Sequence, residues 1–514
     1  MLAQYSSLDI LVFGLYGLLL LVSGWWINRA AVSSQDFFLA QKQMPMWLVA
    51  ISILATSQSA ATFLGGPDQG FRGNLTYLVT NIGAFIAAVI VARWLIPLFY
   101  ERQVSTVYQL LQQRFGKALK QRAGMVYLFG RLFASGARLY IAAIAVAMIL
   151  FGDIAPSSVM SAITVIVVIG IAYSIVGGIR SVIYSDAIQC TVYISAAIAV
   201  VVVLINSIPV DLPTIYSALN EPMSASSEVS KLTLFDWRWD FSAAGVFTMA
   251  SIFTGFVLLN IAAFGLDQDL TQRALTCESA TQSARAMLLS IVLLIPVMLL
   301  FLVIGLLLYV YYQRPDLMHS GSSGVTPEFA GQTVTVFMHY VLTTLPAGIK
   351  AWVTIGIIAA ALSTLNSGLN AMASVIIDDL LKPRLQHRKL SDSRWLILSR
   401  LAMIAVGVAL GLMAALCFYL QQYSDMPLLS FALSVMVFSY SGLLGVFFVT
   451  LFTNRGNATS MSLALIIGFI VPVLMQPYVF GVNIGFTWQL CIGTLAACLV
   501  AAWPKNNTTN SKLK

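Results

Sequence analysis

The chain has 514 residues, 59% of them hydrophobic and only 9% charged, against roughly 25% charged in ordinary soluble proteins. With a mean hydropathy of +0.87, this excludes a disordered protein, a coiled coil and a water-soluble enzyme with one core, and leaves a polytopic membrane protein. The net charge of +8 forms no stripe on a soluble domain, so it argues against a nucleic-acid partner and marks membrane orientation instead.

At roughly 20 apolar residues per span the length holds about a dozen helices. The first apolar run, Ile10 to Ile27, ends in Trp25-Trp26-Ile27-Asn28-Arg29. That end is an aromatic and basic interface anchor, and the run is too long for a signal peptide, so a retained helix over 8–28 is expected. Further spans are expected at about 46–66, 75–100, 122–151, 157–177, 184–207, 243–266, 283–312, 349–379, 395–420, 427–452, 459–477 and 485–503, about 13 in all. They must be helices, because lipid satisfies no open sheet edge and the runs are too long and apolar for barrel strands. The fold class is therefore all-α, and the chain is a single transmembrane domain with a short tail at 504–514.

Lysine and arginine set the orientation. With the N-terminus outside, the cytoplasmic side receives Arg102, Arg114, Lys117, Lys120, Arg122, Arg180, Arg273, Lys382, Arg384, Arg388, Lys389, Arg455 and the tail lysines. Only Arg72, Lys231, Arg238, Arg314 and Lys350 then lie outside. An odd helix count puts the C-terminus in the cytoplasm. The segments 208–242 and 313–348 become external, each with room for a short amphipathic helix. Five cysteines (Cys190, Cys277, Cys417, Cys491, Cys498) lie in or beside apolar runs without a C-x-x-C pair, which points to neither disulfides nor zinc.

Three places break the apolar pattern. The second span reads Ala55-Thr56-Ser57-Gln58-Ser59-Ala60-Ala61-Thr62-Phe63-Leu64-Gly65-Gly66-Pro67. Such a run suits unwound backbone lining a cavity, or else small-residue helix packing with hydroxyl bonds. In Ala359 to Asn370, residues 360, 363, 364 and 367 share one face. That face offers neutral oxygens, which suit a hard monovalent cation such as sodium, unless it only packs. The third is the few ionisable residues inside spans, which are functional candidates by default. Asp186 either serves a site or caps a helix near the interface. Arg131 and Arg138 lie one heptad apart on one helix face; Arg131 can snorkel inward, while Arg138 is deeper. Arg138 has no obvious acidic partner, and an unpaired interior guanidinium suits a solute carboxylate. Arg93 reads as an anchor. The histidines, His319, His339 and His387, fall in loops or at span ends. No span offers a His–carboxylate pair, so an enzyme is not expected.

These residues resemble the sodium:solute symporters over nearly the whole chain. The motifs are residues 57–67, then Gly177-Gly178-Ile179-Arg180-Ser181-Val182-Ile183-Tyr184-Ser185-Asp186-Ala187-Ile188-Gln189, then Asp267-Gln268-Asp269-Leu270-Thr271-Gln272-Arg273, then Ala360 to Asn370 running on to Asp378-Asp379. The resemblance implies a leucine-transporter-like fold of two inverted five-helix repeats, about 46–207 and 243–452, with one helix before and two after, at 459–503. It implies a break in the first helix of each repeat, in the second near Thr254-Gly255. It implies a first sodium site from the carbonyls of Ala55, Gln58 and Ala360 and the hydroxyls of Ser363 and Thr364. A second sodium site would use Asp186, Ser363, Asn366 and Ser367, with Asn366 where the family commonly has a hydroxyl. Ser57, Ser59, Thr62, Asn81 and Asn260 fall on solute-lining positions. Ala61-Thr62, Ala263 and Val292 replace the Glu-Gln pair, gate tyrosine and cavity lysine of the galactose-transporting members. The hydroxyl set is similar to the sialic-acid branch, in which an arginine of the third core helix meets a carboxylate, here Arg138 or Arg131.

The implied function is a bacterial inner-membrane symporter that couples inward sodium flow to uptake of a small polar solute. The solute leans to a carboxylate such as sialic acid, with a neutral sugar, polyol or amino acid as the alternative. A channel and a transporter-like sensor are the other readings; because the sequence stops soon after Trp503, no C-terminal sensor kinase is expected. Sodium, the solute and lipid are the partners, with no organic cofactor and no required oligomer.

Overall fold

The computed structural model describes residues 6–27, 33–221, 229–318, 328–329, 332–385, 387–388, 390–421 and 433–503. The tail at 504–514 and residues 427–432 of the expected eleventh span lie outside the described residues. Regular structure is helical apart from one antiparallel pair of two-residue strands, β1 (Glu328–Phe329) and β2 (Gln332–Thr333).

The helices are α1 (Ser7–Ile27), α2 (Ser34–Leu39), α3 (Met46–Ser57), α4 (Ala60–Arg72), α5 (Thr76–Ile90), α6 (Gln109–Phe115), α7 (Lys117–Phe151), α8 (Pro156–Ser207) and α9 (Leu212–Asn220). There follow α10 (Val257–Gly265), α11 (Gln268–Ala274), α12 (Ala280–Gln313), α13 (Val336–Thr343), α14 (Ile349–Val375), α15 (Asp392–Gln421), α16 (Val437–Phe452), α17 (Ala458–Leu474) and α18 (Phe486–Ala502). Among the described residues, seven helices are long and apolar enough to cross a membrane, or nine if each of two bent pairs is one span. Three more apolar helices, α16, α17 and α18, have 16 or 17 residues, which at about 1.5 Å per residue falls short of a hydrocarbon core roughly 30 Å thick, so length alone does not make them spans; α1, with 21 residues, is long enough.

The break expected in the second span appears, displaced, and the one expected near Thr254-Gly255 does not. α3 ends at Gln58 (φ −89°, ψ 125°), and α4 starts after Ser59 (φ −127°, ψ 174°). The break thus precedes Gly65-Gly66-Pro67, which lie inside α4. The hydroxyls before it, Thr56 and Ser57, donate to Ser52 O (2.8 Å) and Ile53 O (2.9 Å), a back-bonding that competes with the helix ladder. The glycines of α4 serve packing instead: a Cβ on Gly66 would lie 3.0 Å from Phe301 Cβ of α12. Over Thr254-Gly255, Ile252–Phe256 form a π-helical turn that continues into α10 without a break, and the chain bends instead between Gly265 and Gln268.

α8 turns at Gly178, whose φ of 59° and ψ of −152° divide it where two spans are expected. A Cβ there would strike the Phe37 carbonyl, so glycine is required twice over. The segment before α10 holds α9, with Ile215, Ala218 and Leu219 buried and Leu212 and Tyr216 outward. α14 is the central helix: all but one residue from Val353 to Val375 is buried, because neighbours cover it on every side.

Candidate functional site

A cavity opens beside the α3–α4 break. Thr56, Ser57, Gln58 and Thr62 line it from the break, Tyr77 and Asn81 from α5, and Arg131 and Arg138 from α7. Phe256, Asn260, Met298, Met436 and Tyr440 complete its wall. Of the solute positions expected from sequence, Ser57, Thr62, Asn81, Arg138 and Asn260 meet here. Ser59 is not on the wall; it is buried at the break, and its carbonyl accepts the N–H groups of Thr62 and Phe63 (2.9 Å each). Asn81 Nδ2 donates to Leu78 O (2.8 Å), and Asn260 Nδ2 donates to Phe256 O (2.8 Å). Both amides therefore keep their oxygens for a solute donor.

The two arginines differ in what reaches them. Arg131 Nη1 donates to Asp267 Oδ2 (2.8 Å), and Nη2 donates to Asp269. Tyr440 Oη also donates to Asp267 Oδ2 (2.5 Å). Arg138 meets no carboxylate among the described residues; its Nη2 lies 3.2 Å from Met436 Sδ, a weak acceptor. The short α11, between α10 and α12, supplies both carboxylates that hold Arg131.

The residues expected to hold the first sodium lie on two facing elements. Ala55 and Gln58 stand at the end of α3, where the last carbonyls of a helix have no intrahelical partner. Ala360, Ser363 and Thr364 are buried on α14. Thr364 Oγ1 donates to Ala360 O (3.1 Å), so two of the expected ligands already touch. Thr56 Oγ1 and Ser367 Oγ, 3.2 Å apart, join the α3 end to this face.

The expected second-sodium residues are bound otherwise. Asp186 is fully buried, two turns past the Gly178 break, and so does not cap the helix. Its Oδ1 accepts from Ser363 (2.7 Å), and its Oδ2 accepts from Ser52 (2.5 Å) and from Arg273 Nη2 (3.1 Å). Arg273 Nη2 also donates to Ser367. Its Nε bonds Ser52 (2.9 Å), and its Nη1 bonds both the carbonyl and the Oδ1 of Asp269 (2.9 Å each). Among the described residues neither amide atom of Asn366 has a hydrogen-bond partner, and a Cβ on Gly170 would lie 3.3 Å from its Oδ1.

Past Arg131, towards the Lys117 end of α7, the bundle is sealed. Lys120 pairs with Asp379 (3.5 Å), Thr106 donates to the same carboxylate (2.7 Å), and Tyr108 Oη donates to Leu266 O (2.9 Å). Among the galactose-site positions, Ala263 lines the cavity but Val292 is 53% exposed on the outer face of α12. Val292 is therefore no cavity residue; Leu294 and Met298 are what α12 presents there. Sequence reasoning missed the Asp267–Arg131 and Asp269–Arg273 bonds, although Asp269 and Arg273 have the i,i+4 spacing of a helical ion pair. It also missed Tyr77, Met298, Met436 and Tyr440, whose residue types match any packed core. Among the described residues no group of three or more His, Cys, Asp or Glu could hold a metal ion.

The sodium:solute symporter family profile matches residues 37–468. The sodium/sialic acid symporter NanT of Aliivibrio fischeri is 24% identical over 517 residues, covering 99% of this chain and 96% of that protein. The sodium/sialic acid symporter SiaT of Proteus mirabilis is 24% identical over 493 residues, covering 95% and 92%. A solved sodium-coupled sialic acid symporter in a substrate-bound outward-open state superposes with a TM-score of 0.80 at 22% identity, covering 98% of this chain and 100% of that one. This chain has the same fold.

Proposed function

The chain belongs to the sodium:solute symporter family, and we propose that its solute is a small carboxylate gripped by Arg138 in the cavity beside the α3–α4 break. It is a multi-pass membrane transporter for which sodium is the co-transported ion. The observation that carries the solute reading is the pairing difference on α7. A half-buried guanidinium that lines a cavity without a carboxylate partner is costly, and a bidentate solute carboxylate removes that cost. A neutral sugar would leave Arg138 unpaired. The sialic acid named for the relatives is one solute of this class.

Sodium binds the α3 end and the Ala360–Thr364 face through Ala55, Gln58, Ala360, Ser363 and Thr364. It fixes the broken helix beside Ser57 and Thr62 and so raises solute affinity. By linkage the solute raises sodium affinity by the same factor. The ion-paired end around Arg131 and Asp379 is the cytoplasmic gate, with the N-terminus outside and the C-terminus inside. Two inverted repeats, 46–207 and 243–452, follow one helix and precede two. The paired irregularities at Gln58–Ser59 and Ile252–Phe256 support that layout. Seven long helices, two bent pairs and further apolar helices among the described residues are consistent with about thirteen spans.

The test compares Arg138→Lys with Arg131→Lys by sodium-dependent binding of N-acetylneuraminate, lactate and matched neutral sugars, with thermal stability recorded for each. Arg138→Lys should weaken carboxylate binding about tenfold or more with little change in sodium binding, since lysine keeps the charge and loses the fork. Loss of stability with affinity intact would make Arg138 a helix brace.

A further inference from the structure

We infer that Arg273 is a tethered cation filling the place a second sodium would take, so that one sodium moves with each solute. The coordination ground for the sodium count stands on Arg273 and Asp186 alone; the charge balance and its electrical consequence rest on the carboxylate reading of Arg138.

The first ground is coordination. A sodium held by Asp186 needs the carboxylate oxygens and nearby hydroxyls to point at one centre. Here Asp186 Oδ1 takes Ser363, and Oδ2 takes Ser52 and Arg273. Arg273 also holds Ser367, and it is fully buried. Its guanidinium is fixed from the far side by the carbonyl and carboxylate of Asp269. Arg273 therefore already neutralises Asp186 and engages the hydroxyls around it. Asn366, the remaining expected ligand, makes no hydrogen bond to Asp186 or Arg273; among the described residues its amide atoms are buried without a partner. An arginine cannot shed its proton to make room, and a sodium placed beside it would meet like charge in a poorly solvated interior.

The second ground is charge balance. Around the cavity Asp186, Asp267 and Asp269 face Arg131, Arg138 and Arg273, three of each sign. Lys120, Lys382, Asp378 and Asp379 balance one another farther along. A bound monocarboxylate leaves the centre one negative charge in excess, and one sodium restores neutrality. A second sodium would leave a buried positive charge uncompensated, which is strongly unfavourable.

One sodium with one monoanion carries no net charge. The membrane potential then drops out of the driving force, and a tenfold sodium gradient supports about tenfold accumulation. Neutral-solute transport with one sodium would instead respond to voltage.

The decisive measurement counts radioactive sodium on the purified full-length protein without solute, by equilibrium dialysis. One per chain is expected; two in the wild type overturns the inference. Arg273→Gln frees Asp186 and should raise the count to two, whereas Arg273→Lys should keep it at one. A folded Arg273→Gln protein that still binds one sodium also overturns the assignment, and if that variant does not fold the wild-type count decides alone. Proteoliposome uptake of N-acetylneuraminate under a potassium–valinomycin clamp supplies the electrical arm. Rates unchanged by an imposed inside-negative potential are expected, and sodium-driven uptake of this anion that accelerates with potential contradicts the inference. If only neutral solutes are taken up, the carboxylate reading fails while the sodium count still stands or falls by dialysis.

Discussion

Arg131 and Arg138 stand two turns apart on α7, and their partners divide their work: two carboxylates of α11 hold the first, and a thioether touches the second. A deep arginine in an apolar helix is legible from sequence, because its cost in lipid demands an interior position. Which of two such arginines is free is not legible, since Asp267 and Asp269 lie some 130 residues away and reach α7 only through the fold. The same limit hid Arg273, which reads as a cytoplasmic basic residue and lies fully buried. On the sodium side, Thr364 is buried, with its hydroxyl against Ala360 O. Thr364→Ala removes one neutral oxygen ligand and leaves a small apolar face. Sodium affinity should fall about tenfold, with solute affinity following by linkage. Sodium titration of thermal stability checks this; an unchanged midpoint would move the ion elsewhere.

The elements follow their local sequences closely. Apolar runs became helices, the hydroxyl run became the α3–α4 break, and Gly177-Gly178 became the turn in α8. Gly65-Gly66-Pro67 lie within α4, where Gly66 lets α12 approach. The outer end of α4 has a further tie that no motif announces. Lys231, beyond α9, is buried and donates to Phe71 O (2.5 Å) and Gly73 O (2.9 Å), capping the helix, with Nζ 4.2 Å from the Tyr309 ring centre. Burial pushes its ammonium down to about 8 from the ordinary 10.5. The unfolded chain then holds more protons than the folded one between those values, so this site's contribution to stability rises with pH across that window. The melting temperature of the wild type relative to Lys231→Met should therefore climb from pH 8 towards 10. A difference that stays flat would mean that the cap and the ring hold the charged form at its ordinary value.

For the whole molecule, composition points to a membrane protein and positive charge to its orientation, but neither specifies how the helices interlock. That came from motif resemblance, and the superposition on a solved symporter supports the fold. The coupling lies in the arrangement of charge. In the proposed scheme, the oxygen-bearing face of α14, the broken helix beside it and Arg138, which meets no carboxylate among the described residues, form a centre that is balanced when empty and again when one cation and one anion enter together. The most direct test is uptake of radiolabelled N-acetylneuraminate into proteoliposomes, with an inward sodium gradient or with equimolar potassium. The account predicts saturable accumulation above the external concentration with the sodium gradient, its loss when the gradient is collapsed, and its loss in Arg138→Lys. Uptake that proceeds equally in potassium, or sodium-driven accumulation undiminished in Arg138→Lys, would contradict it.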